Sequence, residues 1–180
     1  MKVRTLLLLS MAAAMLAGCS GAARRDMEED RIKLHQEPLE LRGDKDKDVP
    51  KAYIDVTGGV TIDKQPLALT ADQRAAILDY REASLEVIDI SFDAASRLTR
   101  YAVPRLLFGS MIHGTDGASK GIEADAEKIP HSPQFCSSLE KMRQTQDAMI
   151  AKEERLRPYA RLTQEDVQDC QSGKPYRHSI

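Results

Sequence analysis

Apolar and polar positions change their pattern several times along the chain. Behind Lys2 and Arg4, Leu6 to Leu9 and Ala12 to Leu16 form a short apolar run. From Ser20 to Pro50 apolar side chains are sparse, and charges crowd into Arg24-Arg25, Glu28-Glu29-Asp30 and Arg42-Gly43-Asp44-Lys45-Asp46-Lys47-Asp48. So little burial is available to offset the entropy of ordering that residues 19–50 read as a flexible charged tether, with at most a helical turn or two at Met27 to Leu34. A chain of about 30 residues has a root-mean-square reach of roughly 30 Å. An ordered single domain is expected over residues 51–180. It opens with Tyr53, Val56, Val60 and Ile62 flanking Thr57-Gly58-Gly59, where glycine supplies the positive φ of a tight hairpin. Asp63-Lys64-Gln65-Pro66 makes a second turn before Leu67 and Leu69, so the pattern predicts a β-meander over 52–57, 60–63 and 67–69.

Helical periodicity takes over next. Thr70 and Gln73 have the spacing of a capping box. Behind them Leu78, Leu85, Ile88, Phe92, Ala95, Ala102 and Leu106 recur at three-four spacing, widened by Ile77, Val87 and Leu98 and interrupted at Arg81 and Thr99. Such a long amphipathic helix packs on a core or, on the second reading, offers a seam to a partner. Pro104 is expected to kink or restart it, because the ring clashes with the carbonyl four residues earlier. Gly109 to Pro133 is rich in glycine and polar residues and reads as a loop, with a short helix across Ile122 to Lys128. Leu139, Met142, Met149, Ile150 and Leu156 then mark a further amphipathic helix ending near Arg157-Pro158, and Thr163 with Asp166 starts a short last one. The fold class is α+β, mostly α: a small N-terminal meander, a long amphipathic helix, and a C-terminal helical hairpin closed by a disulfide.

The first apolar run is too short for a permanent span, which needs about 20 apolar residues. With its basic start it has the layout of a targeting signal. Its end, Leu16-Ala17-Gly18-Cys19, resembles the lipobox of bacterial lipoproteins. That resemblance implies removal of residues 1–18 and acylation of Cys19; an ordinary secreted protein with an incidental Cys19 is the alternative. Several acyl chains anchor durably, since each buried methylene contributes about 0.8 kcal/mol and one chain alone holds marginally. Ser20 stands where lipoproteins retained in the inner membrane commonly carry Asp, so the resemblance implies an outer-membrane anchor facing the periplasm. Once Cys19 is acylated, Cys136 and Cys170 can pair only with each other within the chain, in a compartment where disulfides persist. A helix from Ser137 to Arg157 advances roughly 30 Å, while bridged Cα atoms lie within about 7 Å. Either the segment after Pro158 doubles back or the helix is shorter.

Composition narrows the function classes. The chain has 26 basic and 28 acidic residues, a formal charge of -2 that becomes about -4 without Lys2 and Arg4, which argues against nucleic acid. It has no Trp and 4% aromatic residues, too few for a carbohydrate-stacking platform. Arg42-Gly43-Asp44 reads as a chance tripeptide. Asp44, Asp46 and Asp48 alternate as at the start of a calcium loop, but Val49 stands where an EF-hand needs glycine and Asp55 where it needs glutamate. His113 and Asp116 lack a third ligand, and His131 stands alone, so no metal site is expected. No nucleophile-base pair or hydrolase motif is present, so neither catalytic residues nor a cofactor is expected.

The run from Val60 through Thr70 into Ala71-Asp72-Gln73, then Tyr80-Arg81 and Phe135-Cys136 with its helix, resembles the YggN-like family of periplasmic proteins. The lipobox and the long charged tether depart from that family. It has no established activity to carry over, so the resemblance implies compartment and fold alone. The expected function is that of a non-catalytic, membrane-anchored envelope binding protein. It would meet a periplasmic protein or cell-wall component through its helical face or the segment after Gly109; an inhibitor or immunity protein against a periplasm-acting toxin is one concrete form. The alternative is an envelope hydrolase whose site has no recognisable motif.

Overall fold

A computed structural model describes residues 25–43, 48–126 and 131–174, with side chains described outside 99–126. Cys19, the leader, Asp44 and Asp46 lie outside these residues. The described chain divides into two compact units, residues 33–91 with 131–174 and residues 25–32 with 92–126.

Order starts well before Lys51. Residues 25–36, expected within the tether, form helix α1. Strand β1 follows at Leu39–Leu41 and pairs antiparallel with β2, Ala52–Ile54. Strands β3, Val60–Ile62, and β4, Gln65–Pro66, complete a sheet in the order β1-β2-β3-β4. The reason for the early start is a two-residue alternation within the charged stretch. Leu39 and Leu41 lie opposite Ile54 and Ala52, and these in turn oppose Val60 and Ile62, so all six share one face.

Both turns depend on positive φ. Gly58 has φ +77°, and the Asp55 carboxylate accepts from the Thr57 amide at 2.7 Å, the Thr57 hydroxyl at 2.7 Å and the Gly59 amide at 2.9 Å. Burial pushes the Asp55 carboxyl up, but the bonds from Thr57 and Gly59 outweigh it and hold the group below the usual carboxylate range. At the second turn Asp63 and Lys64 sit at φ 46° and 64°, a two-residue hairpin that pairs Ile62 with Gln65. The last strand is therefore 65–66 and not 67–69. Pro66, expected in the turn, stands on the edge strand, where its missing amide costs no ladder bond.

Helix α2 spans Ala71–Ala126. Its start carries the expected box: the Thr70 amide donates to Gln73 Oε1 at 2.8 Å and the Gln73 amide to Thr70 Oγ1 at 3.3 Å. It runs through Pro104 without a break and takes in most of the expected loop after Gly109. Proline removes one intrahelical bond, which a helix can absorb by bending rather than ending. The buried positions also differ from the expected stripe. Between Tyr80 and Val87 only Glu82 and Glu86 escape burial. Arg81, expected to interrupt the stripe, is 6% exposed, and its guanidinium donates to the carbonyls of His35 at 2.9 Å and Glu37 at 3.0 Å. A cation there satisfies carbonyls that the end of α1 leaves open.

Helix α3, Pro133–Lys152, starts on Ser132, whose hydroxyl accepts from the Phe135 amide. It ends five residues before Arg157, because Glu153 leaves helical geometry at φ -139°, ψ 89° and its side chain takes the Arg155 amide. A 3-10 segment, Glu154–Tyr159, turns the chain back. Helix α4, Gln164–Ser172, then begins with a full capping box between Thr163 and Asp166 and closes on Gly173 at φ 70°.

One core joins the sheet face to Ile77 and Tyr80 of α2 and to Met149, Leu156 and Tyr159. A second gathers Val87, Phe135, Leu139, Leu162, Val167 and the Cys136–Cys170 disulfide, whose Cα atoms are 5.6 Å apart. The shorter α3 and the doubling back of the chain together make that bridge reachable. In the other unit, Arg31 pairs with Asp93 at 3.2 Å and approaches Glu28 at 3.9 Å.

Two outcomes follow from this architecture. Replacing Cys136 and Cys170 together by Ser should cost about 3–4 kcal/mol in the chain-entropy account. A lowered melting temperature and early proteolysis after Arg161 would record it, while two reactive thiols in the unreduced wild type would contradict it. Gly58→Ala should destabilise by roughly 1–3 kcal/mol, since a Cβ there would lie 2.8 Å from the Arg74 carbonyl and 2.8 Å from Leu78 Cγ. Urea denaturation of that variant gives the number directly, and an unchanged midpoint would contradict the packing of this turn on α2.

Candidate functional site

Where β1, α2, α3 and the segment before α4 meet, they leave a cavity of about 530 Å³ within the sheet-bearing unit. That lies inside the range of small-molecule sites, about 300–1,000 Å³. Pro38 to Arg42 form one wall, Tyr80, Ser84, Val87 and Ile88 of α2 a second, and Met142 and Gln146 of α3 a third. Tyr159, Arg161, Leu162 and Asp166 close it. The surface is mainly aliphatic and tyrosyl.

Most of its polar groups are already committed to holding the fold. Gln146, 3% exposed, donates to the Leu162 carbonyl at 2.8 Å and accepts from the amides of Arg161 at 3.0 Å and Leu162 at 3.1 Å. The Asp166 carboxylate takes the Thr163 amide at 2.8 Å and hydroxyl at 2.6 Å. The Tyr159 hydroxyl donates to the Pro50 carbonyl at 2.7 Å, and Ser84 donates to the Tyr80 carbonyl at 2.8 Å. Burial pushes the Tyr80 hydroxyl up; burial, then the nearby Asp63, does the same for Tyr159, so both stay neutral at ordinary pH. Arg161 differs. It is half-buried, and its guanidinium has no hydrogen-bond or ion-pair partner among the described residues.

Other polar clusters are structural in form. Glu86 accepts from Ser138 at 2.7 Å and Lys141 at 2.6 Å, and the bond from Lys141, then that from Ser138, holds its carboxyl low. Glu153 is clamped by Arg155 at 2.6 Å, which likewise holds its carboxyl low, and it meets Gln73 at 3.2 Å. These bonds tie α2 to α3 and to its end.

The residues weighed from sequence fall in different places. Cys136 and Cys170 come together as a buried bridge. His131 Nδ1 lies 3.3 Å from the Cys170 carbonyl, beside that bridge. His113 and Asp116 lie on α2 where side chains are not described. Among the described residues, no group of three His, Cys, Asp or Glu side chains is placed to hold a metal ion. The cavity itself was not foreseen. The available signal was a pair of polar residues, Ser84 and Gln146, at buried positions of apolar helices. No family model matches the chain, and no curated protein or solved structure matches it either.

The Gln146 amide ties the segment before α4 to α3, so Gln146→Leu should leave one carbonyl and two amides unpaired. The expected loss is about 2–4 kcal/mol, or roughly 5–12 °C in melting temperature. Calorimetry of the variant measures it; a shift under a degree would show that water replaces the bonds and that this wall of the cavity is not held by Gln146.

Proposed function

We propose that the protein is a non-catalytic lipoprotein, anchored to the outer membrane and facing the periplasm, that acts as an envelope binding protein. The observation that carries the binding reading is the cavity, whose walls are apolar and whose polar groups, Gln146, Asp166, Ser84 and Tyr159, serve the fold. A site built for hydrolysis needs a base within reach of a nucleophile or an activated water. This lining offers shape and apolar surface, which are the means of recognition.

The compartment is supported separately. A buried disulfide within a packed core suits an oxidising environment. Among the described residues no helix is long and apolar enough to cross a membrane, so in this proposal attachment rests on Cys19. A periplasmic location is also what the resemblance of Val60 to Gln73, Tyr80-Arg81 and Phe135-Cys136 to the YggN-like family would imply.

Cys19→Ala should abolish labelling by radioactive palmitate and shift the protein from the membrane to the soluble or unprocessed fraction. Absence of label on the wild type would end the lipoprotein reading, and a substrate turned over by the purified protein would end the non-catalytic one.

A further inference from the structure

Apolar cavities are common, but the lining of this one includes a cation with no side-chain partner among the described residues. Arg161, whose backbone amide is one of the two held by Gln146, is half-buried, and its guanidinium is unpartnered among the described residues. A water-accessible guanidinium on the lining of an apolar volume suits a carboxylate or phosphate, which it holds by charge-assisted bonds. The other charges in the lining do not serve. Asp166 is bound by Thr163, and Glu40 and Arg42 are exposed on β1. The cavity thus joins an apolar volume to a half-buried positive group that has no partner among the described residues.

Resting on the binding-protein reading above, we propose that this cavity binds a single-chain fatty acid, the chain among Val87, Ile88, Leu41 and Met142 and the carboxylate on Arg161. Size agrees. A non-hydrogen atom with its hydrogens needs about the space of a water, about 30 Å³, so 530 Å³ takes on the order of 15–18 such atoms, the size of a common fatty acid. The aliphatic walls, with an adaptable methionine among them, suit a flexible chain better than a rigid ring. An extended peptide added to β1 is the competing occupant, since β1 is the open edge of the sheet. That edge is three residues long with the exposed charge of Glu40 at its centre, the form in which natural edges resist strand addition.

The test uses the full chain, purified in amphipol, and cis-parinaric acid, a fluorescent fatty acid. The absence of Trp from the sequence removes an interfering chromophore. Saturable one-site binding, displaced by palmitate but not by hexadecanol or acetate, is expected. Arg161→Gln should weaken binding about tenfold without changing the melting temperature, because that side chain has no partner in the fold. Ile88→Trp should block it by filling the cavity; if that variant does not fold, Arg161→Gln still decides. No saturable binding, equal displacement by hexadecanol, an unaltered Arg161→Gln variant, or displacement by an extended apolar peptide but not by palmitate would each overturn the proposal. Membrane attachment of the same preparations is scored separately: Cys19→Ala should lose the membrane and keep the ligand, so a failed anchor and a failed ligand give different results.

Discussion

The sheet-bearing unit depends on the packing of the first turns of α2 against α3. Ile77 and Tyr80 belong to the core under the sheet, Val87 belongs to the core around the disulfide, and Met142 of α3 packs against both. Neither core closes without that helix pair. A four-stranded sheet of strands two or three residues long could not stand alone, and its apolar face is covered by α2, α3 and the 3-10 segment. The bonds from Ser138 and Lys141 to Glu86, and from Gln73 to the end of α3, fix the register of the two helices. They contribute orientation more than energy, since largely exposed ion pairs stabilise by a few tenths of a kcal/mol to about 1.

The segment from Glu153 to Cys170 is then held at three levels. Glu153 ends α3 and turns the chain, Gln146 captures the amides and carbonyl at Arg161 and Leu162, and the disulfide returns α4 to the first turn of α3. These restraints set the cavity wall that carries Arg161. Entropy explains why they are needed. Leu162, Val167 and Cys170 are the buried apolar residues of the stretch after Tyr159, a small area to set against the ordering of the stretch.

Much of the architecture was legible because it rests on local chemistry. Thr70 with Gln73 and Thr163 with Asp166 announce helix starts by spacing alone, Gly58 marks the hairpin, and two remaining cysteines can make one intramolecular bridge. What was not legible depends on partners distant in sequence. β1 is two leucines in a charged stretch, and they become a strand because Ile54 and Ala52 lie opposite. Arg81 interrupts the hydrophobic stripe on paper, yet it is buried because the end of α1 supplies carbonyls for it. Periodicity finds the helix and places Ile77, Leu85 and Val87 inward, but it misses that Tyr80, Arg81, Ala83 and Ser84 are buried with them. The expectation of a loop after Gly109 weighed composition over the continuity of the backbone ladder, which runs to Ala126, and of the two outcomes expected at Pro104 a restart does not occur. No cavity could be read from sequence, because its walls come from segments as far apart as Leu34 and Asp166.

The two arginines near the cores differ in what their side chains bond. Arg81 is the more deeply buried, and its guanidinium reaches the carbonyls of His35 and Glu37, with Nε left unpaired. Its charge closes a helix end, a role in which removal would leave open carbonyls and a void. Arg161 gives only its backbone to the fold, through Gln146, while its guanidinium stays at the cavity without a counter-charge. Replacing Arg161 by Gln keeps much of the stem that packs there and removes only the charge, so its effect on stability is expected to be small.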